Sequence, residues 1–349
     1  MVDTAYLSNW AAWTATVLLL LQEWLEIVGS KTSGGSVVQA VPSSRPSGGS
    51  FVQVMPSSAS RPSNPEDMRR AKSFENKGWS LEYITDDSDR KMLRALFKVT
   101  DPQNLGWGRD VREKKKYSNL KLVSAWRIHS PQRQVVYEFK KEAVKMDVRL
   151  LEQHSTGTIS AATKLLDTKL DDTARCILGL DNSVNEKLLL HGTNPASALS
   201  IIHNGLNEKL SGGLFGKGIY LAEDPSKIDQ YCTRDVKLGG DASLRDLHDA
   251  LYRDGAVHHS DVYYCFVVRA VLGAVLQTAD GVKSMTAPHQ PIFVSDEQRE
   301  LTVIPGSSPQ IRYHALVAEA GKGHKVERHR EFIVFEGDRV LLEYLLAFK

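Results

Sequence analysis

The earliest pattern along the chain is helical. Trp10, Trp13, Val17, Leu20, Trp24 and Ile27 step by 3, 4, 3, 4 and 3, which sets three tryptophans on one stripe of a helix over 1–28. The largely apolar run inside it, 11–21, has eleven residues, well short of the ~20 that span a bilayer. No Lys or Arg precedes Lys31, so the basic flank of a secretory signal is missing. The stripe fits a helix docked on a globular body; the alternative is a helix that lies on a membrane interface or a partner. Glu23 and Glu26, with no basic face, favour the first reading.

The periodicity then stops. Residues 29–65 hold a short tandem repeat, "GGSVVQAVPSSRPS" (34–47) followed by "GGSFVQVMPSSASRPS" (48–63). Two such copies bury too little surface to offset their ordering entropy, so a disordered linker is expected. Ordinary alternation resumes near Met68. The stretches 65–79 and 88–99 read as short helices, the second with Met92, Leu93, Leu96 and Phe97 on one face. Residues 120–129 read as a strand and 134–154 as a helix. Further strands are expected at 187–192, 217–222, 261–277, 290–295 and 331–335. Strands that follow one another late in the chain argue against a parallel doubly wound sheet and for an α+β arrangement.

Candidate chemistry centres on "GLFGKGIYLA" (213–222). A triphosphate-binding loop needs Gly, four residues and then Gly-Lys-Ser/Thr, but Ser211 holds the first glycine position and Gly218 the hydroxyl position. A dinucleotide fingerprint needs GxGxxG between strand and helix; Gly213, Gly216 and Gly218 give GxxGxG and lead into a strand. Both templates fail. The loop instead delivers Tyr220 on a strand, with glycines that let backbone pass close to a ligand. Three stretches accompany it: "LLLHGT" (188–193), the short helix of "PSKIDQYC" (225–232), and "HREFIVFEGDRVLLEYLLAFK" (329–349). In the last, Phe332 and Val334 share one face, Ile333 and Phe335 the other, and Glu331 stands at the head.

With HGT, FGKGIYLAEDPSK and REFIVF in this order, the chain resembles the catalytic domain of the poly(ADP-ribose) polymerase family, the diphtheria-toxin-like ADP-ribosyltransferases. The resemblance is strongest over 186–234 and 313–349 and covers about two thirds of the chain. It implies a fold of mixed and antiparallel split sheets flanked by helices, spanning 68–349, with NAD as substrate, no metal, and protein acceptors, the chain itself among them. The family's His-Tyr-Glu triad falls on His191, Tyr220 and Glu331. The resemblance also implies that His191, Gly192, Thr193, Tyr220, Ile228 and Tyr231 bind NAD. Tyr220 and Tyr231 would sandwich nicotinamide, the Gly192 backbone would bond its carboxamide, and His191 would hold a ribose hydroxyl. Glu331 would stabilise the oxocarbenium-like charge. One position departs from the pattern: Ile228 stands where much of the family has a serine that bonds the carboxamide, a bond worth about 0.5–1.5 kcal/mol.

Each of these residues has a plainer reading by itself: a hydrogen-bonded strand-end histidine, core tyrosines, a solvated glutamate on an edge strand. Their joint appearance in ordered motifs outweighs it. Two alternatives to the transferase stay open, a retired module that binds NAD or ADP-ribose and an NAD glycohydrolase. The short loop 207–215 leans the transferase reading towards mono-transfer or short chains.

Composition changes this picture little. The 349 residues carry 44 basic and 42 acidic side chains, so charge alone suggests no nucleic-acid partner. The basic run 109–121 reads as a solvated face, and 321–330 as a loop that either touches pyrophosphate, selects acidic acceptors, or is simply surface. Cys176, Cys232 and Cys265 are odd in number without CxxC spacing, which suits a reducing, intracellular compartment, cytoplasmic or nuclear. His258, His259 and His289 lack ligand spacing and read as loop residues.

Overall fold

The computed structural model describes residues 78–99, 102–105, 117, 119–154, 156–171, 179–253 and 255–349. The Trp stripe of 1–28, the repeats of 29–65 and most of the expected helix at 65–79 lie outside the described residues.

The chain opens with strand β1 (Ser80–Tyr83) and helix α1 (Asp87–Ala95). Asp86 caps α1 by accepting from Asp89 N–H, and Asp87 and Asp89 place acidic charge in its first turn, where the helix dipole favours it. Strand β2 (Leu122–His129) follows, then helix α2 (Pro131–Gln153), which begins on a proline whose missing N–H costs nothing there. The buried positions of α2, Tyr137, Lys141, Val144, Val148 and Leu151, step by four and three along one stripe. After the short helix α3 (Gly157–Ala162) come β3 (Glu186–Thr193), α4 (Pro195–Asn204), β4 (Ile219–Leu221), α5 (Pro225–Ile228) and α6 (Arg245–Leu251). The remainder is strand: β5 (Tyr263–Val271), β6 (Val275–Thr278), β7 (Ala315–Ala318), β8 (Glu331–Val334) and β9 (Val340–Phe348).

Two sheets result. One is antiparallel throughout, in the order β1-β2-β9-β5-β3; the other runs β4-β8-β7-β6, with β6 and β7 parallel. They meet in a two-bond seam. Leu190 N–H donates to Ala222 O at 2.8 Å, and Ala222 N–H returns a bond to Leu190 O at 2.9 Å. The α+β expectation with split sheets is therefore met.

Side chains alternate as the pleat requires. Leu189, Phe266, Val268, Phe332 and Val334 share the largest apolar cluster. Leu188, Leu190, Cys265 and Val267 point the other way, into a cluster closed by Leu93, Leu96 and Phe97. Ile333 faces a third cluster with Leu316, Phe215 and Tyr313, and Phe335 lies against it. The alternation read from 332–335 holds.

Two strand expectations need correction. The run 261–277 is two strands in different sheets, not one. Gly273 breaks it at φ +53°, and a Cβ there would lie 2.5 Å from His314 Nδ1. The run 290–295 forms only isolated bridges, Lys283 with Pro291 and Phe293 with Leu301. Its residues serve as a loop that covers the glycine turn: Gly216, at φ +96°, lies against Phe293 and Gln298 O.

Candidate active site

The seam fixes the site. Leu190 directs its N–H and C=O across to Ala222, so by period two Gly192 turns its own N–H and C=O to that side, away from β5. Gly192 has no room for a side chain. A Cβ would lie 2.7 Å from Ile228 O, 2.9 Å from Cys232 Sγ and 3.1 Å from Ile228 Cβ. Helix α5 is thus pressed on the backbone of β3, held in place by Asp224, which caps α5 through Ser226 N–H. Ile228 itself is buried, its side chain in the apolar cluster of Leu190, Ala222 and Cys265. Thr193 is buried too; its hydroxyl donates to Asn194 O at 3.3 Å.

His191 and Tyr220 are joined directly. The His191 ring donates from Nδ1 to Tyr220 O at 3.0 Å, which leaves Nε2 as the lone-pair nitrogen of a neutral ring. Burial lowers the His191 pKa, and the bond to Tyr220 opposes that only in part. The ring is neutral at physiological pH.

The glycine loop turns out to serve the phenol. Tyr220 OH accepts from Phe215 N–H at 2.8 Å and donates to Gly216 O at 2.9 Å. A Cβ on Gly213 would lie 2.5 Å from Tyr220 Cζ. Backbone groups of Phe215 and Gly216 are thus spent on holding one ring. Burial raises the Tyr220 pKa well above the usual phenol value, and the charges of Glu331 and Tyr231 add to this. Tyr220 stays protonated.

Glu331, first residue of β8, pairs with Ala318 across the sheet and is 5% exposed. A solvated edge glutamate is ruled out. Its Oε1 lies 2.5 Å from Lys227 Nζ, and the same ammonium donates to Tyr231 OH at 3.0 Å. Tyr231 is half exposed, at 42%. The sequence reading missed Lys227. Its signal was the four-residue step to Tyr231 along a helix beginning at Pro225.

Two further groups around Glu331 were missed. Arg330 grips Glu223 with both arms, Nε to Oε1 at 2.9 Å and Nη2 to Oε2 at 2.8 Å. Glu223 is buried and also accepts from Lys169 N–H. This fork ties the residue before Glu331 to the end of β4. His329 is buried with no hydrogen-bond partner on either ring nitrogen, and burial lowers its pKa to about 4.

A third cluster corrects the reading of the histidines. His259 and His289 are exposed in loops, but His258 is buried against Asp235. His248 Nε2 lies 2.9 Å, His258 Nε2 3.1 Å and Tyr264 OH 2.8 Å from Asp235 Oδ2. The three ligand atoms of Asp235, His248 and His258 lie within 4.8 Å of one another, a spacing a cation could use. The backbone N–H groups of Gly239 and Ser260 point at the two Nδ1 atoms. With Nδ1 accepting from Gly239 N–H, His248 donates from Nε2 to the carboxylate, whereas His258 Nε2 lies close to it without a hydrogen bond. The cluster clasps the excursion 235–262 onto β5.

Two sheets thus meet at a short seam, with His191 on one and Tyr220 and Glu331 on the other. The family model of the poly(ADP-ribose) polymerase catalytic domain matches residues 109–349. The chain belongs to that family, whose members carry out NAD-dependent ADP-ribosyl transfer. No helix among the described residues is long and apolar enough to cross a membrane.

Proposed function

We propose that residues 68–349 form a catalytic domain that moves ADP-ribose from NAD to protein acceptors as single units or short chains. The observation that carries this reading is the continuous contact Tyr231–Lys227–Glu331, which stands within electrostatic reach of Tyr220 while Tyr220 holds His191. Nicotinamide lies between the rings of Tyr220 and Tyr231, and the outward N–H and C=O of Gly192 bond its carboxamide. Nε2 of neutral His191 accepts from a ribose hydroxyl.

Lys227 engages Oε1 of Glu331, and no described residue bonds Oε2. Oε2 is free to accept from a hydroxyl of the nicotinamide ribose and to face the positive charge that builds at its anomeric carbon. The glycosidic C–N bond breaks with its electron pair leaving on nicotinamide. An acceptor oxygen then bonds the anomeric carbon and gives up its proton to Glu331 or water. The short loop 207–215, which includes one turn of 3₁₀ helix at Glu208–Leu210, offers little surface to hold a second ADP-ribose, which favours short products.

The test is nicotinamide release and label transfer from labelled NAD, with products sized on a denaturing gel. Glu331→Gln should cut release by about 10²–10³. Equal background release by both proteins points to a retired binding module, a reading for which the apolar Ile228 leaves room and against which the intact His-Tyr-Glu set argues. Release without labelled protein points to an NAD glycohydrolase. Long ladders would refute the short-chain reading.

A further inference from the structure

Three loops close on one another beside Tyr220, and Lys325 is their hub. Its Nζ donates to Leu214 O at 3.1 Å and stands 5.4 Å over the Phe215 ring, while its N–H donates to Ala279 O at 2.8 Å. Gly281 completes the contact: a Cβ there would lie 3.0 Å from the Phe215 ring and 3.2 Å from Lys325 Nζ. Through the bond from Phe215 N–H to Tyr220 OH, this surface is attached to the site. The loop 321–330 runs on from it into Glu331.

The surface has two properties that a solvated loop cluster lacks. First, it exposes large apolar side chains, Leu214 at 55% and Val282 at 67%, on loops already tied together. Second, its charge is one-sided. Loops 205–217, 279–285 and 319–330 carry seven Lys and Arg against four Asp and Glu; with Arg330 already paired to Glu223, six basic groups face four acids. Three of those four acids are occupied locally: Glu208 accepts from Gly337 N–H, Asp280 from the N–H groups of Val282 and Lys283, and Glu319 from Gln277. Lys322 and Lys325 remain exposed.

We infer that this surface docks the acceptor protein through a segment in which apolar side chains alternate with acidic ones. This rests on the reading that the site transfers ADP-ribose to protein. Apolar residues cover Leu214 and Val282, and carboxylates meet the lysine edge, a pairing that steers encounter and fixes register. Such contacts at the rim of a site select among acceptors without touching the chemistry.

The test separates docking from turnover. Anisotropy of fluorescein-labelled peptides EELSLEE and KKLSLKK is measured without NAD. The acidic peptide should bind at least about tenfold more tightly, and its binding should weaken as salt rises from about 50 to about 200 mM. Val282→Asp and Lys322→Glu should each remove the preference. With NAD present, these variants should release nicotinamide like the parent protein yet label an acidic acceptor protein roughly tenfold less. Equal binding of the two peptides, or unchanged binding in both variants, would overturn the inference. A parent protein that binds the acidic peptide but releases no nicotinamide would sink the transferase reading and leave the docking surface standing.

Discussion

The ammonium of Lys227 lies 2.5 Å from Oε1 of Glu331 and joins a four-residue helix to the head of an interior strand. Both side chains are largely withdrawn from water, 13% and 6% exposed. Removing one partner leaves a buried charge without its counter-charge, which typically costs about 3–5 kcal/mol. Lys227→Met should therefore destabilise by roughly 3 kcal/mol. Adding Glu331→Gln should restore most of that loss. Urea unfolding of the two single variants and the double variant reads the coupling; additive losses would mean the pair is not coupled.

Gly192→Ala should act through α5. The new methyl meets Ile228 O at 2.7 Å and Cys232 Sγ at 2.9 Å, and the backbone oxygen cannot yield without moving the helix. Overpacking of this kind costs about 1–3 kcal/mol. Because α5 carries Lys227, the KM for NAD should rise along with the fall in stability. Steady-state kinetics and urea midpoints measured together decide it.

Ile228→Ser should trade stability for affinity. The isoleucine is 2% exposed among apolar neighbours, so its truncation should cost about 2–5 kcal/mol. The hydroxyl should regain a carboxamide bond worth about 0.5–1.5 kcal/mol, lowering KM for NAD up to roughly tenfold. An unchanged KM would show that the nicotinamide does not reach this position.

His329 sets an acid limit. Burial lowers its pKa from 6.5 to about 4, so as pH falls the unfolded chain takes up the proton first. Its stabilising contribution is complete above pH 6.5 and is lost between 6.5 and about 4. The loss is on the order of 3 kcal/mol. His191 and His314, both lowered chiefly by burial, push in the same direction. Urea midpoints between pH 7 and pH 4 should fall steeply, and less steeply in His329→Gln.

What the sequence disclosed follows from what leaves a local mark. Strand β3 showed because Leu188, Leu189 and Leu190 form an apolar run that ends in His191, and β8 because its side chains alternate. The break at Gly273 stayed hidden because β5 and β6 are both buried, so no polar residue marks the change of sheet. A lone glycine inside the run was the available signal. Strand β7, ALVA, is too short to show any period. Lys227 could be connected with Glu331 only once α5 and β8 were known to be neighbours. Asp235, His248 and His258 carry no spacing rule, since their convergence is made by the path of the excursion and not by any helix or strand. The family was legible through motif order, and the bonds by which the glycine loop holds the Tyr220 hydroxyl were not.

The two-bond seam between Leu190 and Ala222 has a consequence for any dinucleotide that lies across it. His191 belongs to one sheet and Glu331 to the other, so an occupant touching both adds a polar clamp to halves that Leu189, Phe266, Phe332 and Val334 already hold together through the core. A molecule gripping only one half would fill the cleft without adding that clamp.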